Sequence, residues 1–383
     1  MSKIFVAGGG FAGLWAAMAA AATRYRQDAS NIEITLVSRD PHLCIRPRLY
    51  EGARPEMLVP LRPLLEAIGV AFEHAQISEV TPTTLRTEKG GTLEHDRLIL
   101  AMGSHVAIPS VPGAAAHGFI VDTYEQTARL DAHLSKLDRT APGASTLVVV
   151  GASFSGLEIA TSLRDRFGPE GMIYLIDQQE VAGQSLGDSL TQEIKSALEN
   201  ANIQFLGGQS IASVAADQVV LSSGQEIGTQ TTIFATGLRP SPLFKNIGRQ
   251  ASDGRLQLDQ HLKVVGHPDL FAAGDVGIAA ADDVHMTLMS CQHAMPMGVV
   301  AGQNAVLDLL GLNLQPYTQP DYATCLSLGT SNAVFTQGWD RTVTMSGAEG
   351  AAMKAQINKT WIYPPSPDVG RDAIFEAILP TQV

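Results

Sequence analysis

The stretch that decides the fold is residues 4–13, which read Ile-Phe-Val-Ala-Gly-Gly-Gly-Phe-Ala-Gly. The four apolar residues predict a short buried strand, and Gly8–Gly13 follow the pattern GxGxxG. Residues 14–22, rich in alanine, predict a helix, and residues 32–37 predict a second strand. The order strand, glycine-rich turn, helix, strand is the context in which this pattern binds a dinucleotide. We therefore predict a Rossmann-like unit here.

The three glycines of this turn have separate roles. Gly8 permits a tight turn, Gly10 lets the backbone approach a pyrophosphate, and Gly13 lets the helix pack closely on the strand. Phe11 and Ala12 lie between the second and third glycines, just before the predicted helix, whose free N–H groups and partial positive charge favour phosphate. We assign these five residues to cofactor binding.

A second copy of the layout returns further along the chain. Residues 147–150 predict a strand, and Gly151–Gly156 repeat the turn as Gly-Ala-Ser-Phe-Ser-Gly, with Ser153 in place of the middle glycine. A predicted helix at 157–166 and a predicted strand at 172–176 follow. Two such units on one chain predict two nucleotide cofactors.

The residues that end the second strand of each unit indicate which nucleotide binds. Asp177 ends the second unit's strand, where a carboxylate accepts from ribose hydroxyls, although it also suits the capping of a turn. Gln178 and Gln179 follow with no arginine to bind a 2′-phosphate, which favours NADH over NADPH. The first unit has Ser38 and Arg39 instead, which suit a hydrogen bond to ribose and a contact with adenosine.

Three further apolar segments, 98–104, 232–237 and 270–275, each run into a turn of small residues. Small residues let the backbone approach a flat ligand, and a carboxylate can accept from the hydroxyls of a polyol. The candidate cofactor contacts in these turns are Ala101, Gly103, Gly237, Gly274 and Asp275.

Composition excludes several other classes of protein. The chain has 383 residues with 26 basic and 38 acidic side chains, and the net charge of −12 argues against nucleic-acid binding. Its three cysteines include no CxxC pair and its ten histidines show no ligand spacing, so we predict a reducing compartment and no metal site. No apolar run reaches the length of a membrane span, and we expect a cytoplasmic protein.

With both glycine turns and the three small-residue turns in order, the chain resembles the FAD/NAD(P)-linked pyridine nucleotide oxidoreductases. Within them it is most similar to type II NADH dehydrogenases and apoptosis-inducing-factor-like quinone reductases. The resemblance implies an α/β fold with two nested Rossmann-like domains, one for FAD and one for NADH. The FAD domain is expected at 1–115 plus 231–315, the NADH domain at 116–230, and a C-terminal α+β interface domain at 316–383.

Finer motifs point to the quinone-reducing branch. Residues 42–50 resemble a stretch that passes the flavin, and Gly156-Leu157-Glu158 resembles a motif whose glutamate lies at the contact of nicotinamide and flavin. Residues 290–298 resemble a helix start that lines a quinone pocket, with Met297 where a second glutamine is usual. By the same resemblance Lys354 pairs with Glu158 near the flavin.

The resemblance therefore supplies a set of candidate residues. The catalytic candidates are Glu158, Lys354 and Gln292, and the further cofactor contacts are Arg46, Ile77, Gln292 and His293. An ordinary surface lysine and an ordinary helix-start histidine are the alternatives for Lys354 and His293. The expected reaction passes a hydride from NADH through FAD to a quinone.

Several alternatives stay open on sequence alone. The acceptor can instead be a disulfide, a sulfur species, a redox protein or a specialised metabolite, or the protein can be a slow flavin-binding regulator. Cys44 is either an inert buried thiol or a redox centre, and a persulfide role for Cys291 needs Cys325 nearby. A homodimer and a peripheral contact with the inner face of the membrane are also open.

Overall fold

The structure is a computed structural model that describes residues 1–244 and 246–378. Most strands of this part are short and apolar. In chain order they are β1 (Ser2–Ala7), β2 (Ile32–Ser38), β3 (His42–Cys44), β4 (Leu58–Pro60), β5 (Ala71–His74), β6 (Ile77–Val80), β7 (Thr84–Thr87), β8 (Thr92–Glu94), β9 (Arg97–Leu100), β10 (Ser104–Val106), β11 (Gly118–Ile120), β12 (Thr146–Val150), β13 (Met172–Ile176), β14 (Ile203–Leu206), β15 (Ile211–Val214), β16 (Gln218–Leu221), β17 (Glu226–Gly228), β18 (Thr231–Phe234), β19 (Leu238–Pro240), β20 (Leu256–Gln257), β21 (Lys263–Val264), β22 (His267–Ala272), β23 (Gly277–Ile278), β24 (Ala323–Ser327), β25 (Ala333–Gln337) and β26 (Thr342–Met345).

Helices join β1 to β2, β12 to β13 and β13 to β14, as the crossovers between parallel strands require. In chain order the helices are α1 (Phe11–Arg26), α2 (Leu61–Ala67), α3 (Ala114–His117), α4 (Tyr124–Lys136), α5 (Phe154–Phe167), α6 (Asp188–Asn200), α7 (Cys291–Leu309), α8 (Gly347–Gln356) and α9 (Arg371–Ile378). A π-helical turn, Ile357–Trp361, continues α8. No helix within the described ranges is long and apolar enough to cross a membrane.

Two parallel sheets form the body of the molecule. The first has the order β21-β22-β9-β1-β2-β5, with parallel pairing throughout except between β21 and β22. The second has the order β11-β18-β12-β13-β14 and is parallel throughout. Each sheet holds one of the glycine turns at its centre, so the predicted α/β class with two Rossmann-like units is confirmed.

The predicted boundary at residue 230 is wrong. β18 pairs with β11 and with β12, so it completes the second sheet instead of starting the return to the first. The physical reason is its fully buried sequence, which fills the position beside the central strand. The two connecting segments, β10 and β19, pair antiparallel with each other, and we place the boundary between the two units at this pair.

Close helix packing supports the first glycine turn. α1 is buried from Phe11 to Thr23 because α7 covers the side that faces away from the sheet. A Cβ added at Gly298 would lie 2.4 Å from the Ala12 oxygen, and one at Gly302 would lie 2.2 Å from the Ala16 oxygen. Only glycine therefore permits this approach of the two helices.

The C-terminal part adds an antiparallel sheet, β24-β25-β26, and α8 lies across β25. A Cβ at Gly350 would lie 2.0 Å from the Ala333 oxygen, so glycine lets α8 press directly onto the strand. This contact brings the next turn of α8, which carries Lys354, against α5. Residues 379–383 of the predicted interface domain lie outside the described residues.

Candidate cofactor and electron-transfer site

The first glycine turn has the geometry of a phosphate-binding turn. Gly8 has a φ of +117°, and a Cβ there would lie 2.4 Å from the Ala101 oxygen. A Cβ at Gly13 would lie 1.8 Å from the Gly8 oxygen, so the turn closes only with glycine at both places. Gly10 caps α1 with no side-chain hydrogen bond, and a Cβ there would meet nothing within 4 Å. The open side of the turn therefore exposes the first N–H groups of α1 to a ligand.

The second glycine turn repeats this geometry closely. Gly151 has a φ of +104° and its added Cβ would lie 2.3 Å from the Ala235 oxygen. A Cβ added at Gly156 would lie 1.7 Å from the Gly151 oxygen. Ser153 caps α5 without a side-chain hydrogen bond to the helix, as Gly10 does for α1. The substitution of serine for the middle glycine therefore leaves the turn intact.

The polar residues at the ends of β13 and β2 hold their own loops. Asp177 accepts from the N–H of Ala152 at 2.5 Å and from that of Gln179 at 2.8 Å, so its carboxylate tethers the glycine turn to the next loop. Buried Ser38 accepts from the N–H of Asp40 at 3.2 Å. Arg39 is exposed and pairs with the same Asp40 at 2.9 Å.

An acidic and basic cluster lies beside the first glycine turn. Ser104 donates to the Asp275 carboxylate at 2.6 Å, and Arg46 forms an ion pair with buried Asp122 while its other nitrogen lies 4.0 Å from Asp275. Gly274 has a φ of +73°, and its added Cβ would lie 2.9 Å from the Ala12 side chain. The cluster therefore adjoins the start of α1.

The small-residue turns leave open space around this cluster. Gly103 has a φ of +65° and Gly237 a φ of +85°, and a Cβ at either would meet nothing within 4 Å. Ala101 contacts the turn through its backbone, as described above. Turns that need glycine, together with helix N–H groups and a hydrogen-bonded carboxylate, fit a dinucleotide such as FAD.

Glu158 and Lys354 meet as the resemblance implies, although they lie far apart in sequence. The Lys354 ammonium is 2.8 Å from the Glu158 carboxylate, and their side chains are 13% and 10% exposed. Lys354 also donates to the Cys325 oxygen at 2.7 Å, and Glu158 accepts from the Ser327 N–H at 3.1 Å. Each charge therefore has a partner besides its counterion, which a buried pair requires.

The pair also faces an aromatic ring. The Lys354 nitrogen lies 5.7 Å from the centre of the Tyr50 ring. Burial opposes the charged form of Lys354, but the nearby Glu158 and Tyr50 outweigh it, so the pKa of Lys354 is above its ordinary value. Burial, together with the Glu158 charge, raises the pKa of Tyr50. Lys354 therefore stays a cation at neutral pH.

Three other predicted contacts have structural partners. With its amide oriented to match donors to acceptors, Gln292 pairs with Ala323, donating to its oxygen at 2.5 Å and accepting from its N–H at 3.0 Å. His293 is fully buried and stacks on Tyr322 with ring centres 5.7 Å apart. Ile77 is buried in the apolar cluster under the first sheet.

Some residues of the site were not among the sequence candidates. Asp122 follows β11 at the carboxyl end of the second sheet, a position that pattern alone makes eligible. Tyr50 ends the stretch 42–50 that resembles a flavin-passing segment, but its contact with Lys354 was not predicted. Ser327 carries no local signal, and its contact with Glu158 is identified by the tertiary structure alone.

The three cysteines are free in the described chain. Burial raises the pKa of Cys44, of Cys291 and of Cys325 to about 11 each. At neutral pH all three are therefore protonated and poor nucleophiles.

We expect the Cys44→Ser variant to keep its turnover within about twofold of the unmodified protein, because a protonated thiol contributes little to exchange chemistry. Native protein should also react with a thiol-specific disulfide reagent far more slowly than urea-unfolded protein. Steady-state NADH oxidation and the reagent's release rate measure the two effects. A large loss of turnover in Cys44→Ser would instead indicate a redox role.

Comparison with known proteins agrees with this geometry. The model of the pyridine nucleotide-disulphide oxidoreductase family matches residues 2–298. A NADH dehydrogenase-like protein of Mycobacterium tuberculosis is 39% identical, covering 95% of each chain. A type II NADH:quinone oxidoreductase of Staphylococcus epidermidis is 25% identical, covering 94% of this chain and 95% of its own.

Solved structures share the fold. The sulfide:quinone oxidoreductase of Aquifex aeolicus matches with a TM-score of 0.78 at 17% identity, covering 100% of this chain and 93% of its own. The chain belongs to the pyridine nucleotide-disulphide oxidoreductase family. It is an NAD(P)H oxidoreductase that binds FAD and NAD(H).

Proposed function

We propose that the protein passes a hydride from NADH through FAD to a quinone. The buried ion pair of Lys354 and Glu158 carries this proposal, because it holds a fixed ammonium beside Tyr50 where an acceptor oxygen gains charge. The Staphylococcus relative supports it through its name. The overall reaction balances as NADH, a proton and a quinone giving NAD⁺ and a quinol.

Bound FAD supplies the two-electron chemistry, and the chain supplies position and charge. The N–H groups of α1 and the carboxylate of Asp275 suit the pyrophosphate and the polyol of FAD. The N–H groups of α5 suit the pyrophosphate of NADH, and the Asp177 carboxylate suits a hydroxyl of its ribose. Arg46, held by Asp122, keeps a cation beside Asp275.

Lys354 acts as a hydrogen-bond donor in this proposal and not as the source of a proton. Its raised pKa makes proton release at neutral pH unfavourable, while its charge still stabilises a developing oxyanion. The proton that completes the quinol then comes from water. Glu158 keeps the ammonium in place, and Gln292 braces the start of α7 against β24.

An anaerobic titration followed by an acceptor panel tests the function. NADH should bleach the bound flavin within milliseconds to seconds, and menadione or ubiquinone-1 should then reoxidise it faster than a disulfide or polysulfide does. Slow bleaching by NADH would favour a regulatory flavoprotein. Fast bleaching without reoxidation by any quinone would rule out the quinone acceptor.

We expect Asp177→Ala to raise the KM for NADH about tenfold to a hundredfold and to leave FAD bound. The loss removes one charged hydrogen bond to the ribose, worth about 1.5–3 kcal/mol, and loosens the turn that Asp177 tethers. Steady-state kinetics and flavin absorbance measure the two effects. Asp217→Ala, an exposed acid in the same unit, is the control. If FAD were lost instead, the two cofactor sites would be exchanged.

A further inference from the structure

A cavity of about 420 Å³ opens beside Lys354, outside both glycine turns. Its walls come from the segment that contains Arg48 and Arg54, from α5, and from α8 with its π-helical turn. The α5 residues that line it, Ser162 to Arg166, lie about 9–15 Å beyond Gly156 at 1.5 Å per residue. These lining residues therefore lie farther along α5 than the glycine turn that we assign to NADH.

The lining of this cavity is strongly charged. It contains five basic and three acidic side chains, in a chain whose net charge is −12. These are Arg48, Arg54, Arg166, Lys354 and Lys359, with Glu51, Glu56 and Asp165. The remaining lining includes Tyr50 and three alanines, Ala333, Ala351 and Ala355.

Most of these charges have partners. Lys354 pairs with Glu158, Arg48 lies 2.8 Å from Glu51, and Arg166 lies 2.8 Å from Asp131. A second acid, Glu56, is 3.7 Å from Arg48. These ion pairs neutralise the charges of Lys354, Arg48 and Arg166.

The acids that remain are also engaged. The Asp165 carboxylate accepts from the N–H and the hydroxyl of Thr330 at 2.7 and 2.5 Å. These hydrogen bonds hold the Asp165 carboxylate but leave its charge in place, so Asp165 and Glu56 offset part of the positive charge at the cavity.

Three hydrogen-bond donors at the cavity lack a carboxylate partner. Arg54 and Lys359 are exposed, and neither pairs with a carboxylate in the described part of the chain. Asn358 is 3% exposed and lines the cavity, and its Nδ2 has no hydrogen-bond partner among the described residues. Asn358 lies in the π-helical turn, a feature that often marks a functional site. Unmatched donors around one space favour an anionic ligand.

We propose that the acceptor enters through this cavity and is a water-soluble quinone with an acidic substituent, such as a sulfonate or carboxylate. Arg54 and Lys359 bind the acidic group, Asn358 donates to it or to the ring oxygen, and Lys354 faces the quinone oxygen. The inference rests on the proposed function and specifies its substrate class. The cavity volume suits a bicyclic ring, since small-molecule sites span about 300–1,000 Å³.

A matched pair of quinones tests this. Menadione and 1,4-naphthoquinone-2-sulfonate share a ring and differ at position 2, where one has a methyl group and the other a sulfonate. We measure kcat/KM for each with NADH and the FAD-loaded protein, without lipid or detergent. Their ratio within one variant removes any common change in flavin reduction. The absence of lipid excludes an effect that acts through a membrane headgroup.

The double variant Arg54→Gln/Lys359→Gln should lower the ratio of kcat/KM for the sulfonated quinone to kcat/KM for menadione at least tenfold. The control Arg62→Gln/Lys195→Gln removes the same charge from exposed sites on α2 and α6 and should change the ratio less than twofold. Naphthalene-2-sulfonate, which accepts no electrons, should inhibit the unmodified protein competitively against the sulfonated quinone and lose this effect in the double variant.

Three results separate the inference from the function it rests on or overturn it. An equal ratio in the two double variants, with menadione still reduced, would overturn the anionic site and keep the quinone function. A protein whose flavin is bleached by NADH but that reduces neither quinone would overturn the proposed function. A similar fall of the ratio in both double variants would reflect overall charge and would also overturn the site.

Discussion

The Gly13→Ala variant is expected to purify with less than about a tenth of its FAD, whereas Gly156→Ala is expected to keep FAD and lose reduction by NADH. The added Cβ would lie 1.8 Å from the Gly8 oxygen in the first variant and 1.7 Å from the Gly151 oxygen in the second. No side chain can yield at either place because the neighbour is backbone. Each helix must therefore move off its strand, and its N–H groups move with it.

The expected size follows from the geometry. A shift of about 1 Å in a bound reactant can cost roughly a hundredfold in rate, so NADH should bleach the flavin of Gly156→Ala about a hundredfold more slowly. Flavin absorbance of the purified protein and stopped-flow bleaching measure the two effects. Gly228→Ala is the control, since a Cβ there would meet nothing within 4 Å.

The pair of variants also distinguishes local from global damage. If Gly13→Ala is folded by circular dichroism and still binds NADH, the loss of FAD is specific to the first turn. If Gly156→Ala loses FAD and Gly13→Ala keeps it, the assignment of the two cofactors is reversed. Retention of both activities in both variants would contradict the close packing of the turns.

The Lys354→Met variant is expected to lower the free energy of unfolding by about 3–5 kcal/mol, because it leaves the buried Glu158 carboxylate without its counterion. Its reoxidation by a quinone should also slow by about a hundredfold, the usual effect of removing one donor to a developing oxyanion. Urea unfolding of the FAD-loaded protein and stopped-flow reoxidation measure these effects. Lys195→Met, at an exposed site, is the control.

The double variant Glu158→Gln/Lys354→Met should be more stable than Lys354→Met, because no unpaired charge then remains buried. If adding Glu158→Gln restored no stability, the broken ion pair would not be the cause of the lower stability of Lys354→Met. A quinone rate unchanged in Lys354→Met, with stability reduced, would restrict Lys354 to a structural role.

The pH dependence of this pair has a definite sign. The folded-state pKa of Lys354 is raised, so its contribution to stability is present below the ordinary lysine pKa and is lost only as pH rises through the folded value. As pH rises from about 6 to 9, the stability difference between unmodified protein and Lys354→Met should therefore not fall. A fall within that range would mean that Lys354 loses its charge near neutrality.

Local sequence predicted the inner strands of both sheets closely, whereas the edge strands β5, β11, β14 and β21 were not among the predictions. The strand at 172–176 has the same bounds in the structure, and the predicted helix at 14–22 lies within α1, which begins at Phe11. The earlier start arises because the last residues of the glycine turn are already helical. The boundary near 230 was less accurate, because a buried apolar strand is equally suited to either sheet until pairing decides.

The residues of the candidate site divide in the same way, into those that local sequence identifies and those that it does not. Gly8, Gly13, Gly151 and Gly156 were identified from spacing alone, because a turn of this kind is made by consecutive residues. Lys354 was reached only through resemblance, and its contacts with Tyr50 and the Cys325 oxygen had no signal in the sequence.

By itself the sequence determined the two glycine turns, their order and the absence of a CxxC pair, since each depends on residues that are neighbours along the chain. Only the tertiary structure decided which distant side chains share one space. It brought Glu158 against Lys354 and placed Arg54, Asn358 and Lys359 around one cavity. The physical reason is that burial and charge pairing depend on distances through space, which packing sets and spacing along the chain does not.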